Sequence, residues 1–381
     1  MATQASSFTL KQPFLIPTYY LDFKCKGPEC RNTCCAGWGV TVSMQQYFNL
    51  LGLACDKPLR DKIDRTFRPL LQPSNERFAE IAHNHLGNCP LQMENGYCML
   101  HNQCGEKSLP WVCRNYPRGP RAQYANETSC SNSCEKTLEL LFANDRPMSF
   151  TMRELQIELP NKPQIVSETE KSEYQRIRSY CFAILQNRSD SLPTRLLKIG
   201  KVLAVLDNNK QADLMSMDLT VPKYEKNIPY SYQLLLNFSR VFGDHHSSIS
   251  EYCEENAHYY KEGDLDIKYQ SALLHFESVL PNHEILFEKM LLNHLFFSQF
   301  PFSGSFKTLN DEFIGLCGTY VFLRFISISL MRLSKGVQDF IDIMAKTFRV
   351  IAHSSFDKTI TSMLKNENAH SFDTLGILLQ A

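Results

Sequence analysis

Eleven of the fourteen cysteines fall between Cys25 and Cys134, in tight clusters. The first is Cys25-x4-Cys30-x3-Cys34-Cys35. A second runs Cys89-Pro90, Cys98, Cys104 and Cys113-Arg114, and Cys130-x3-Cys134 closes the segment. Thiols at this density form disulfides, ligate zinc or ligate an iron–sulfur cluster. Disulfides persist in oxidising compartments, which a chain reaches by a secretory signal. Met1 to Phe23 offers no basic region followed by an apolar run, because Lys11, Pro13, Pro17 and Asp22 interrupt it. A cytoplasmic protein with reduced thiols is therefore expected. Zinc favours short pairs such as C-x2-C, or a histidine at finger-like spacing from a pair, and neither occurs. An iron–sulfur cluster accepts thiolates at more varied spacings. An all-thiolate set from several separated segments suits a [4Fe–4S] cluster best, with zinc as the alternative. The spacing is neither that of C-x2-C-x2-C ferredoxins nor the C-x3-C-x2-C triplet of radical enzymes, since position 37 is Gly.

The candidate ligands are Cys30, one of Cys34 and Cys35, Cys89, Cys98 and Cys113, with Cys25 and Cys134 in reserve. Adjacent side chains diverge along a backbone, so Cys34 and Cys35 seldom reach one cluster together. One is expected to ligate, and the other to be packed or to serve a second site. Cys55, Cys181, Cys253 and Cys317 read as small buried hydrophobes.

The elements that must hold these thiols are unevenly marked. Ser43 to Gln46 has capping-box form and opens a helix along Met44, Tyr47, Phe48 and Leu51. A second helix is expected over Lys57 to Leu71, before Pro73. Between Cys89 and Cys134 no period is sustained, a long irregular stretch for a compact domain unless metal ligation replaces the missing core. Met148 to Leu159 predicts one or two short strands, and a domain boundary is placed there. The fold expected is mainly α: an irregular cysteine-rich N-terminal domain, residues 1–160, built around a metal cluster, followed by an α-helical domain, residues 161–381. Helices are predicted from Glu168 through Leu206, then over Ser231–Phe242, a polar surface helix at Ser250–Lys261, Glu284–Phe297, Asp311–Leu333, Lys335–His353 and Asp357–Lys365. The apolar stretch from Phe313 to Leu333 contains Arg324 and reads as a buried helix, not a membrane span.

Forty acids balance forty bases, so bulk charge gives no argument for nucleic acid. There is no G-x-G-x-x-G, no G-x4-G-K-[ST], no H-E-x-x-H and no G-x-S-x-G. His245-His246 has no partner at helical spacing and reads as surface loop. The sequence marks no catalytic residue.

One ordered string does carry a resemblance. It runs Cys25-x4-Cys30-x3-Cys34-Cys35-x-Gly37-Trp38, Cys89-Pro90-Leu91, Gly96-Tyr97-Cys98, Cys113-Arg114-Asn115-Tyr116-Pro117-Arg118 and Ser133-Cys134-Glu135. It resembles the flagellin lysine-N-methylase family, whose cysteine-rich half is similar to a broader group of zinc- or iron-chelating proteins. Ile184–Arg188, Arg195-Leu196-Leu197 and Phe300-Pro301-Phe302 are similar to the family's helical blocks. Ser43 and Glu135 depart from it, standing where Asp and Pro are expected.

The resemblance implies methyl transfer from S-adenosylmethionine to lysine ε-amino groups of flagellin. An in-line displacement at the sulfonium needs alignment and a deprotonated amine, but no radical. The cluster is then a structural staple, the reading favoured here, or an open iron site that grips the donor. The resemblance places the donor where the two halves meet. Arg114, Tyr116 and Arg118 are the candidate lining, offering guanidinium groups for a carboxylate and an aromatic face for the sulfonium. Flagellin docking is expected on Glu251–Lys261, through Tyr252, Tyr259 and Tyr260. No nucleic-acid or membrane partner is expected. A non-catalytic chelating protein and an iron–sulfur electron carrier are the alternatives.

Overall fold

The computed structural model describes residues 8–381. Fifteen α-helices and five strands make up its regular structure among the described residues. Strand β1 (Phe8–Pro17) pairs antiparallel with β5 (Phe150–Leu159), register Phe8 to Leu159, so one long ribbon brackets the cysteine segment. β5 lies within the Met148–Leu159 stretch. β1 lacks an obvious strand signal, since Pro13 and Pro17 interrupt it, and its partner lies far along the chain.

Between those strands sits a small core. A three-stranded antiparallel sheet, β2 (Thr41–Val42), β4 (Ala79–Ile81) and β3 (Phe67–Pro69) in that spatial order, carries helices α1 (Met44–Leu51) and α2 (Lys57–Thr66). Val40, Val42, Leu50, Leu59, Ile63, Phe67, Ala79, Ile81, Cys89, Leu91 and Leu100 are its buried apolar residues. So few side chains stabilise little by themselves. α1 begins as its sequence requires, with the reciprocal Ser43 and Gln46 capping bonds both formed. α2 begins on the Asp56 side chain and stops at Thr66, short of Leu71, because Phe67 turns extended to pair with Ile81. Two short helices follow, α3 (Met99–Cys104) and α4 (Trp111–Asn115), in an otherwise irregular segment.

The second core is far larger, and it does not respect a boundary near residue 160. Tyr19, Phe23, Cys130, Leu138, Leu141 and Met148 all belong to it, so helix α5 (Glu135–Leu141) packs with the helical half. The helical half comprises α6 (Glu168–Leu185), α7 (Leu192–Asn208), α8 (Ile228–His245), α9 (Ser250–Tyr259), α10 (Leu265–Val279), α11 (His283–Phe297), α12 (Leu309–Leu330), α13 (Val337–His353), α14 (Phe356–Asn366) and α15 (Phe372–Leu378). Ser167 with Glu170 caps α6, and the Ser191 side chain caps α7.

α12 is buried along almost its whole length and runs through the centre, packing against α7, α9, α10, α13 and α14. With its 3-10 extension to Leu333 it is long and apolar enough to cross a bilayer, yet 89% of its most apolar window is buried inside the protein. α11 is nearly as enclosed and carries Glu288, which is fully buried. Arg188 Nε and Arg195 Nη1 meet that carboxylate at 2.8 and 2.7 Å, which is how a charge survives there.

Candidate metal centre and junction cleft

The first cysteine loop is held from two directions by charged groups. Glu135, a buried carboxylate on α5, accepts from Lys26 Nζ at 2.6 Å and from the backbone N–H groups of Asn32 at 2.7 Å and Arg31 at 3.3 Å. Burial pushes this carboxyl up, and Lys26 with those N–H groups outweighs it, so the group sits below its usual range. Glu135 is one of the two departures from the family string, and, standing next to Cys134, it ties Lys26–Asn32 to the start of α5. From the other side, α13 contributes Asp342, which receives Arg31 Nε and Nη2 at 3.1 Å, and Arg349. The Arg349 guanidinium, 6% exposed, donates to the carbonyls of Asn32 at 2.5 Å, Thr33 at 2.9 Å and Ala36 at 3.0 Å. A fork of fixed donors suits three carbonyls in a way a lysine would not.

Around this loop the eight candidate thiols fall into two neighbourhoods. Cys35, Cys89, Cys98 and Cys113 all pack on the small core. The Cys35 carbonyl accepts the Cys89 N–H at 2.7 Å, and Gln92 bridges to Cys98. Burial pushes the Cys89 thiol up to about 12, and raises Cys98 and, further, Cys113. The charges of neighbouring thiols add to this: Cys35 and Cys98 act on Cys89, and Cys89, Cys35 and Cys98 on Cys113. Cys25, Cys30 and Cys134 gather on the Glu135 side. Burial raises Cys30 to about 12, with Glu135, Cys134 and Cys25 adding. Cys34 stands at the seam. Its thiol donates to Cys35 and is held well above its ordinary value, while Cys35 is held down to about 7.

Backbone N–H groups point at several of these sulfurs: Gly27 at Cys25 (3.4 Å), Leu91 and Gln92 at Cys89, and Lys136 and Thr137 at Cys134. Such donors stabilise sulfur that carries negative charge. Among the described residues no three His, Cys, Asp or Glu side chains converge closely enough to hold a metal ion as they stand. A four-iron cube keeps its thiolates wider apart than a single ion does, so thiols that are gathered but not converged remain compatible with it. The donor set is all sulfur, the nearest carboxylate is already engaged by Lys26, and N–H groups face the sulfurs. These residues fit an iron–sulfur group.

The remaining cysteines behave as small apolar residues. Cys130, Cys181, Cys253 and Cys317 are buried in the large core, and Cys55 and Cys104 pack beside the small one.

Arg114, Tyr116 and Arg118 do not line one cavity. Arg114 pairs with Glu158 at 2.5 Å, on a cleft with Trp111 and Asn49. Tyr116 turns its hydroxyl inward to Ser133 Oγ at 3.0 Å. Arg118 lies over the Phe23 ring at 4.9 Å. The residues that do meet at the junction of the two halves are others. A cleft of about 510 Å³ is lined by Gly37, Trp38, His83, His246, Arg349 and His353, among others. Trp38 packs against His353, ring centroids 4.4 Å apart and planes tilted by 40°, and donates its indole N–H to the Cys34 carbonyl at 2.8 Å. His353 Nε2 lies 2.9 Å from Ser133 Oγ. Partial burial, then the Arg349 charge, lowers His353 below its ordinary value, so its imidazole is neutral at pH 7. The signal for Trp38 is its place directly after Cys35-Ala36-Gly37 in the cysteine string; Arg349 and His353 give none, because their partners lie more than 200 residues away.

The tyrosines expected to form a docking face point inward. Tyr260 is buried, with its hydroxyl accepting from Ser329 Oγ at 3.1 Å, and Tyr252 and Tyr259 are partly covered. Lys346 lies over the Tyr252 ring and Arg332 over Tyr259. α9 exposes Glu251, Glu254, Glu255 and His258 instead.

Residues 178–379 match the FliB lysine N-methylase C-terminal domain. The chain is 24% identical over 191 residues to a lysine-N-methylase of Salmonella choleraesuis, covering 49% of this chain and 45% of that protein. The Salmonella typhimurium lysine-N-methylase is similar at 24% over 188 residues, 45% of its length. The flagellar biosynthetic protein FliU of Salmonella muenchen is 30% identical over 121 residues, 31% of this chain and 68% of FliU. The similarity therefore spans less than half the length of the lysine-N-methylases. No solved structure matches. The family match covers α13, with Asp342, Arg349 and His353, and lies wholly outside the cysteine segment. On that match, which covers more than half of its length, the chain belongs to the FliB lysine N-methylase family.

Proposed function

We propose that this protein transfers methyl groups from S-adenosylmethionine to lysine ε-amino groups of flagellin. The observation that carries the reading is the match of residues 178–379 to a lysine N-methylase domain. The names of the Salmonella relatives, lysine-N-methylase and a flagellar biosynthetic protein, support the reaction and point to a flagellar substrate. In the step itself the neutral amine's lone pair forms the N–C bond as the S–C bond breaks. S-adenosylhomocysteine leaves, and the amine loses a proton to solvent. The donor is placed in the junction cleft, whose volume lies within the range of small-molecule sites. There the Trp38 face suits a sulfonium, and Arg349 supplies positive charge beside the donor's carboxylate. This moves the donor from Arg114, Tyr116 and Arg118 to the neighbours of Tyr116.

The thiols are proposed to hold an iron–sulfur group, which when bound staples the small core. Its ligands come from Cys25, Cys30, Cys34, Cys35, Cys89, Cys98, Cys113 and Cys134. Arg349 and Glu135 position the first loop. Incubation of anaerobically purified protein with donor and flagellin should add mass steps of single methyl groups to tryptic lysine peptides. Trp38→Ala should weaken donor binding by calorimetry at least tenfold. Metal-loaded protein that leaves flagellin unmodified would reject the methylase reading in favour of chelation or electron transfer.

A further inference from the structure

The β1–β5 ribbon has two outer edges, and they are not alike. An antiparallel pair alternates bonded and non-bonded residue pairs, so every second residue turns its N–H and C=O away from the partner strand. Pro13 and Pro17, which have no N–H, stand opposite Glu154 and Phe150. Leu15, opposite Met152, donates its N–H to the Asn126 carbonyl and accepts the Thr128 N–H. The Glu158 carbonyl, opposite Thr9, accepts the Trp111 indole N–H at 3.1 Å. These contacts fix the phase: the odd-numbered residues 9 to 17 face outward on β1, and the even-numbered residues 150 to 158 on β5. The β1 edge is closed by its two prolines and by the bridge from Leu15 to Glu127. The β5 edge carries no proline, and no strand or isolated bridge pairs with it among the described residues. Met152, Glu154 and Gln156 are exposed, so their outward N–H and C=O groups form an open strand template about 14 Å long.

At its far end this edge runs into a cleft of about 510 Å³. Glu158 belongs to both, and Trp111 lines the cleft with the side-chain amides of Gln45, Gln46 and Asn49 from α1. A side-chain amide carries the same donor and acceptor as a peptide group. Glu158 is held by Arg114, whereas the Glu154 carboxylate enters no ion pair among the described residues. A basic side chain opposite Glu154 is therefore favoured. A second copy laid antiparallel and centred on the open stretch would set Glu154 against Glu154, a like-charge pair that is unfavourable.

We propose that the β5 edge binds an extended, lysine-bearing segment of a polypeptide partner as a third strand of the ribbon, with one end of the segment in the Trp111 cleft. This rests on the polypeptide substrate proposed above and specifies how that substrate is held. Main-chain pairing to Met152, Glu154 and Gln156 makes up to about six hydrogen bonds, and these give affinity with little regard to sequence. Glu154 adds the preference for a basic residue.

The test is amide hydrogen exchange on the full-length protein, read residue by residue, with flagellin as the probe. In the free protein the Met152, Glu154 and Gln156 amides should exchange fast, and those of Arg153, Leu155 and Ile157, bonded to β1, slowly. Flagellin should slow the first three by about tenfold or more and leave the second three unchanged. Gln156→Pro removes an outward donor at a site equivalent to Pro13 on β1, so the ribbon persists. It should raise the KM for flagellin by about tenfold with donor affinity unchanged. Glu154→Lys should weaken flagellin binding about two- to fivefold. Methylated flagellin with no change in the three amides would overturn edge docking and leave the methylase reading intact. Slowing that follows protein concentration without flagellin would overturn it in favour of a second copy. Flagellin that slows the three amides yet gains no methyl would keep the docking and reject the methylase reading, and flagellin that does neither would overturn both.

Discussion

Replacing Arg349 by Met removes a guanidinium that joins two parts of the molecule otherwise far apart in sequence. Its side chain donates to three carbonyls of one loop, at 2.5, 2.9 and 3.0 Å. A hydrogen bond from a charged donor contributes about 1.5–3 kcal/mol net, so a simple sum runs to roughly 5–9 kcal/mol. Bonds from one group to one loop are not additive, and the freed carbonyls of this half-buried loop recover some water. The expected loss is about 3–5 kcal/mol, roughly half of that sum. Both tryptophans, Trp38 and Trp111, lie in the cysteine segment, and Trp38 also faces His353 of α13, so their fluorescence reports that segment and its junction with the helical half. Circular dichroism is dominated by the helices beyond residue 160. With a urea slope of about 2 kcal/mol per molar, the fluorescence midpoint should fall by about 1.5–2.5 M, ahead of the dichroism transition. Arg349→Lys should recover only part, since an ammonium cannot span three carbonyls in a plane. A fluorescence midpoint in Arg349→Met within about 0.3 M of wild type would refute the clamp.

Two further outcomes follow from the helical half. Burial pushes the Glu312 carboxyl up to about 7, with Asp357 adding and Ser303 opposing. The folded state therefore binds its proton more tightly than the unfolded chain, and stability falls as pH rises from about 4.5 to about 7. Glu312→Gln should remove that loss, and its advantage over wild type in urea unfolding should grow by about 2.5 kcal/mol between pH 5 and pH 8; a constant difference would argue against it. Glu288→Leu leaves Arg195, 2% exposed, with only the more exposed Glu284 carboxylate at 3.6 Å and should cost about 3–5 kcal/mol by thermal or urea unfolding, whereas adding Arg195→Met should restore most of it.

What the sequence revealed and what it hid divide along contact range. The capping box at Ser43 and the spans of α11, α12, α13 and α14 came from local pattern, and each formed within a few residues of expectation. α10 was passed over although Tyr269, Ala272, Leu273 and Phe276 repeat at helical spacing and are all buried. β1 was hidden for a different reason: its partner lies more than 130 residues on, and prolines mask its alternation. The docking face on α9 failed because a polar composition does not say which side a tyrosine ring takes, and Ser329 satisfies the Tyr260 hydroxyl inside the core. For the site, residue types were visible and grouping was not. Nothing local announces that Glu135 would bind Lys26 and Asn32, or that Arg349 would reach Thr33.

The separation between that loop and its clamp has a consequence in time. Asn32 and Arg349 lie 317 residues apart, and the loop is made first. At about 5–20 residues per second, the ribosome needs roughly 15–60 s to deliver the arginine after the asparagine has emerged. For that interval Cys25, Cys30, Cys34 and Cys35 hang from a chain whose latch has not yet been synthesised. The order of manufacture thus reverses the order of dependence. A ribosome that stalls anywhere before α13 leaves a nascent chain with its reactive sulfurs unlatched, and a truncation of the last tenth of the protein would be felt at its beginning.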